Sequence, residues 1–212
     1  MSDEKTAVPA APLPVFAEPT PLGLLGLAIG CAALLPIAFG VTLTPSALRT
    51  AAMFCLLFGG GCQFLAGIMS LTNKNLLGGT LFTTFAFNWV MNWWALSGLA
   101  EGRVPDAHVV LSVDLCFLVI FVVLTYAFGF YSKLLFAFLL DIDALYAFRI
   151  LKELLHAPAA FALPIALATV VLAAIAVYMA FAILVNTAAG RPVFAMPGPM
   201  FTPSTSPPPA AH

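Results

Sequence analysis

The sequence predicts an all-α integral membrane protein with six transmembrane helices and both termini on the same side. Three observations carry this. Of 212 residues, 62% are hydrophobic and only 8% charged, whereas a soluble domain carries about 25% charge. Six apolar runs each reach the ~20 residues needed to cross hydrocarbon. Short polar breaks separate them, and an even number of crossings returns the chain to its starting side.

Composition also excludes several classes. The formal net charge is −1, so the chain has no basic footprint for nucleic acid. Cys31, Cys55, Cys62 and Cys116 all lie inside apolar runs. Their spacing fits no zinc pattern, and they read as small buried hydrophobes rather than disulfides or metal ligands. No Ser–His–Asp set, phosphate loop or metal cluster is present, so neither catalysis nor a cofactor has candidate residues. The start, MSDEKTAVPAAPLP, lacks an apolar stretch directly after a basic segment, so the first run is expected to be a span rather than a cleaved signal.

Taken in order, residues 1–18 are polar and Ala/Pro-rich and are expected to be a loose tail. The membrane domain occupies 19–190. Span one covers 22–39, with Pro21 suited to a first helical turn and Pro36 expected to kink or end it. Gly26 and Gly30 form a small-xxx-small pair that permits close helix approach. Span two covers 47–70 and contains Gly59-Gly60-Gly61 followed by Gln63. Three glycines weaken a helix by roughly 1 kcal/mol each relative to Ala. A membrane helix tolerates that where neighbours pack closely or backbone lines a cavity. Span three covers 76–99, span four 109–131 with Asp114 read as an interfacial anchor, and span five 134–155. Span six covers 161–187, with Pro164 early. Residues 191–212 are Pro-rich and are expected to be disordered. Positive charge does not choose a side: Lys5, Lys74, Lys133 and Arg191 oppose Arg49, Arg103, Arg149 and Lys152.

Span three carries Thr80, Thr84, Asn88 and Asn92 at every fourth position. Such positions share a helix face, drifting by roughly 40° per step. Uncharged hydrogen-bonding groups in an apolar span point to a wall facing water or a solute; helix–helix hydrogen bonding is the alternative. Gln63, beside three glycines, is read the same way. Asp141 and Asp143 in span five project to roughly opposite sides of a helix. Intramembrane carboxylates are candidates for a proton relay, and pairing with Lys133 or Arg149 is the competing reading. Trp89, Trp93 and Trp94, near the end of span three, read as an aromatic belt.

Two motifs resemble those of the acetate uptake transporter family, which includes the succinate–acetate permeases. One is Pro19-Thr20-Pro21-Leu22-Gly23-Leu24. The other runs from Gly59-Gly60-x-x-Gln63 through Ala66-Gly67 to Asn75-x-x-Gly78-x-Thr80-x-Phe82 and Trp89. The match covers about the first hundred residues; the last three spans agree in number and length. The resemblance implies six-helix protomers in a homo-hexamer of the cell membrane, with a pathway through each protomer and cytoplasmic termini. It implies passage of small monocarboxylates such as acetate, and sometimes succinate, as channel or proton symporter. It places an apolar constriction at Leu27, six residues after Pro21, and at Phe85, with a third member in span five at Ile142 or Leu145. Gln63, Asn75, Thr80, Thr84 and Asn88 are the expected pathway residues.

Four positions depart from the family pattern: Glu18 replaces Asn, Ser70 replaces Glu, Phe85 replaces Tyr and Asn88 replaces Phe. A hydroxyl has gone and an amide has appeared one turn away. Three readings therefore stand: a permease for small organic acids, the same fold passing a small amide or ammonia-like solute, and a structural subunit that transports nothing.

Overall fold

The computed structural model describes residues 14–202. Residues 1–13 of the loose tail expected at 1–18, and residues 203–212 of the C-terminal tail, lie outside the described residues. Within them, six long helices make up the chain: α1 (Thr20–Ala38), α2 (Pro45–Thr72), α3 (Leu76–Leu99), α4 (Ala107–Phe128), α5 (Lys133–Leu154) and α6 (Pro158–Ala189). Four of them, α1, α2, α4 and α6, are long and apolar enough to cross a membrane. The other two, α3 and α5, carry the Thr80–Asn92 stripe and Asp141 and Asp143 respectively.

Local sequence sets most boundaries. The Thr44 side chain accepts from the Ala47 N–H and Pro45 opens α2. Asn75, Asp106 and Ser132 each cap the following helix by accepting a first-turn N–H, the role that short polar side chains serve at orphan donors. Pro36 sits in the last turn of α1, which ends two residues later at Ala38. Gly190 takes φ +62 at the end of α6, where a left-handed residue closes a helix. The glycine triplet does not break α2. Cys55–Cys62 instead forms a π-helical segment within it, a widened turn that recurs at functional sites.

The helices form a ring: α1 packs on α6, α6 on α5, α5 on α4, α4 lightly on α3, α3 on α2, and α2 on α1. Trp89 of α3 shows why the closest crossings need glycine. A Cβ at Gly30 of α1 would lie 2.9 Å from its indole ring, and one at Gly59 in the π-helical segment 2.4 Å from it. The indole is thus clamped between two bare backbones. Trp89 is buried while Trp93 and Trp94 are exposed, so Trp89 is a packing residue rather than part of an aromatic belt.

The outer surface is greasy. Leu57, Leu65, Val119, Val123 and Leu167 are all more than half exposed. In water such a surface would cost heavily; against lipid tails it costs nothing, because the tails are as apolar as Leu. With the apolar helices, it makes this a multi-pass membrane protein.

The C-terminal segment differs from the expectation of disorder. The Asn186 side-chain oxygen accepts from the N–H groups of Val193 and Phe194, and its amide donates to the Phe194 carbonyl. The Tyr178 hydroxyl donates to the Ala195 carbonyl. Further on, Met200 and Phe201 donate to the Gly129 carbonyl. The Phe201 ring lies 5.4–5.6 Å from those of Tyr126, Phe130 and Phe136. Residues 191–202 therefore strap the end of α6 to the α4–α5 turn. A Pro-rich composition hid this because prolines remove donors without preventing carbonyls and aromatic rings from docking.

Candidate functional site: two cavities and an aromatic plug

Helices α1, α3 and α5 run in one direction and contribute to two cavities at opposite ends of the ring. The wider, about 300 Å³, is lined by the C-terminal halves of these helices, from Cys31, Phe85 and Leu145 onward, with the N-terminal half of α6. The narrower, about 130 Å³, is lined by their N-terminal halves, including Thr20, Asn75, Phe82 and Phe138, with Phe128 at the end of α4. Between the two levels lie Leu27, Phe85 and Ile142, at 1%, 4% and 0% exposure. Phe121 of α4 packs beside them, with its ring centroid 5.2 Å from that of Phe85 in an edge-to-face pair. Leu145, the other candidate from span five, lines the wide cavity instead.

The polar stripe of α3 divides. Asn88 and Asn92 line the wide cavity, with the Asn92 amide donating to the Asn88 carbonyl oxygen at 3.2 Å. Thr80 is exposed on the outside and Thr84 is half-buried away from both cavities. The 40° drift per step accounts for this: over three steps the stripe turns by roughly 120°, too far for one wall. Asn75 lines the narrow cavity and caps α3, accepting from the Gly78 N–H at 2.9 Å. Gln63 is buried at the end of the π-helical segment, and its side-chain oxygen has no hydrogen-bond partner. It lines neither cavity.

Asp114 is buried within the protein. The Arg149 Nε–H donates to its Oδ2 at 3.0 Å and Arg149 Nη2 lies 2.9 Å from Oδ1. Arg149 is therefore committed to Asp114 of α4, leaving Asp141 and Asp143 without it. Asp143 accepts the Thr125 hydroxyl at 2.7 Å. One oxygen of each of Asp141 and Asp143 is buried without a partner, and neither residue lines either cavity.

Among the residues of the wide cavity that sequence reasoning missed are Trp89, Tyr146, Arg149, Lys152 and Thr169. The signal was present as helical spacing. Ile142, Tyr146 and Arg149 stand at i, i+4 and i+7, as do Phe85, Trp89 and Asn92, and residues so spaced share one face. Once a plug residue is placed, the next two turns of its helix must line the space beyond it.

The fold is that of a multi-pass helical membrane protein: a ring of helices with two cavities at opposite ends and buried apolar side chains between them. The chain superposes on the solved structure of the bacterial acetate channel SatP with a TM-score of 0.76 and 22% identity, covering 85% of this chain and 99% of that one. No protein-family model matches the chain, and no curated protein sequence does.

Proposed function

We propose that the chain is a channel for small monocarboxylates of the size of acetate, with one pathway inside each protomer. The observation that carries this reading is the pair of cavities at opposite ends of the ring, separated by the buried Leu27, Phe85 and Ile142. Its likeness in fold to an acetate channel supports it. The wide cavity is lined at its outer end by Arg149 and Lys152, each paired with a carboxylate, Asp114 and Glu153. Asn88 and Asn92 then offer uncharged hydrogen bonds to a solute losing its water. The plug excludes ions at rest, because a bare charge at mid-membrane costs at least ~2.5–3.5 kcal/mol. Six spans, cytoplasmic termini, a cell-membrane location and a homo-hexamer complete the proposal. The open apolar groove between α1 and α2, about 560 Å³, gives a neighbouring protomer a surface to fill.

A proton-coupled version rests on the buried, unpartnered oxygens of Asp141 and Asp143. It requires acetate uptake to respond to a proton gradient and Asp143→Asn to abolish that response. The channel itself is tested by uptake of labelled acetate into proteoliposomes. The expected result is uptake above protein-free vesicles. Absence of uptake for acetate, propionate, lactate and succinate alike sinks it.

A further inference from the structure

Residues 191–202 dock on one face of the α4–α5 turn, and the narrow cavity occupies the other. Gly129, Ser132 and Phe136 face the segment. The Gly129 carbonyl accepts from the Met200 and Phe201 N–H groups at 2.7 and 3.0 Å. The Ser132 hydroxyl donates to the Pro197 carbonyl at 3.0 Å, and the Phe136 ring lies 5.6 Å from that of Phe201. Phe128, Tyr131 and Leu135 alternate with these positions and line the cavity. The Gly198 carbonyl also accepts the Lys133 N–H at 2.9 Å, which satisfies one of the orphan donors at the start of α5.

The cavity lies across the weakest joint of the ring. α4 touches α3 only lightly, and the cavity is lined by Phe82 of α3 together with Phe128 of α4. With little α3 packing to hold it, the end of α4 is secured from outside. Phe201 sits among Tyr126 of α4, Phe130 of the turn and Phe136 of α5. A Cβ at Gly129 would fall 2.4 Å from the Phe201 ring, so the ring fills the space a side chain would take. The segment is itself lightly held. Residues 191–200 are exposed except for Phe194, whose ring meets that of Tyr178 at 5.9 Å. Few buried apolar contacts and exposed hydrogen bonds put a segment at the low end of local stability, where elements that dock and release are found.

We propose that residues 191–202 are a brake on the narrow end of the ring. Docked, they hold the end of α4 against α5 and keep the narrow cavity at about 130 Å³. Released, they free the α3–α4 joint and the cavity widens. The docked fraction then sets how readily solute passes this end. The effect on flux rests on the channel reading; the widening does not, and it is measured without flux.

Gly129→Ala drives a methyl into the Phe201 ring while the backbone accepts it, because Gly129 has φ −59 and ψ −24, a helical conformation open to alanine. Phe201→Ala removes the same contact from the other partner and serves where the first variant folds poorly. The reporter is a cysteine in place of Leu81, which is 4% exposed and lines the narrow cavity, in a chain whose four native cysteines are replaced. Chymotrypsin cleavage after Phe194 registers release of the segment. Both variants are expected to be cut there. Both are expected to react with a water-soluble maleimide roughly fivefold faster than the parent or more, the low end of the usual coupling between two sites. Acetate influx is expected to rise with them. Release without faster labelling overturns the brake, and so does resistance to cleavage in both variants. Faster labelling with no acetate uptake in any of the proteins keeps the brake and removes the channel. Uptake in the parent with labelling unchanged by release keeps the channel and removes the brake.

Discussion

Truncating Phe85 to Ala tests the plug most sharply. The Phe85 ring is buried, 5.2 Å from Phe121 and 6.1 Å from Trp89 between centroids, and it lines the wide cavity while Phe82, one turn away, lines the narrow one. Its removal joins two spaces of about 300 and 130 Å³ through a gap large enough for water. A wet constriction no longer strips the ion, so the ~2.5–3.5 kcal/mol charge barrier at mid-membrane falls away. At one decade per ~1.4 kcal/mol, acetate flux should rise about a hundredfold and discrimination against chloride should fall. The change costs stability as well, about 3–5 kcal/mol for a core Phe, so flux is compared in liposomes with protein that runs as the wild type on size exclusion. Stopped-flow acetate influx against chloride influx is the assay. A well-folded Phe85→Ala protein whose acetate and chloride fluxes both match the wild type would refute the plug.

Three further outcomes follow from the packing. Asp114→Asn should lower stability by about 3 kcal/mol, the low end for a buried pair because the Arg149 side chain is 24% exposed; thermal melts in detergent should show most of the loss recovered in Asp114→Asn/Arg149→Met. Gly59→Ala places a methyl 2.4 Å from the Trp89 indole and should cost about 1–3 kcal/mol, whereas Gly60→Ala, whose nearest contact is 3.5 Å, should be tolerated. Phe201→Ala removes the ring that docks between Tyr126, Phe130 and Phe136, and limited proteolysis should then cut within 191–202 where the intact protein resists.

How much of this was legible beforehand varied with the physics behind each signal. Helix number followed from run length, because the hydrocarbon thickness is a fixed ruler. Starts at Thr44–Pro45, Asn75, Asp106 and Ser132 were readable as caps, although the expected spans began one or two residues late at three of them. The division of the α3 stripe was harder. Every-fourth spacing looks like one face over two turns, but Thr80 and Asn92 end up on different sides of the helix. Arg149 looked like a partner for Asp141 or Asp143 because all three share α5. Its true partner, Asp114, stands 35 residues away on α4, and only the ring of helices brings them together. The same holds for Trp89, whose burial depends on glycines in two other helices. The strap over residues 191–202 was illegible, since its acceptor sites at Gly129 and Asn186 have no mark in sequence.

One labelling experiment bears on the whole account. Asn92 lines the wide vestibule and is partly exposed. A cysteine placed there, with the four native cysteines replaced, can be capped by a bulky water-soluble maleimide. If solute passes through the centre of each protomer, complete modification should stop acetate influx almost entirely while leaving the protein folded. Undiminished influx through fully modified protein would show that solute travels elsewhere, and the vestibules would then be features of packing rather than of transport.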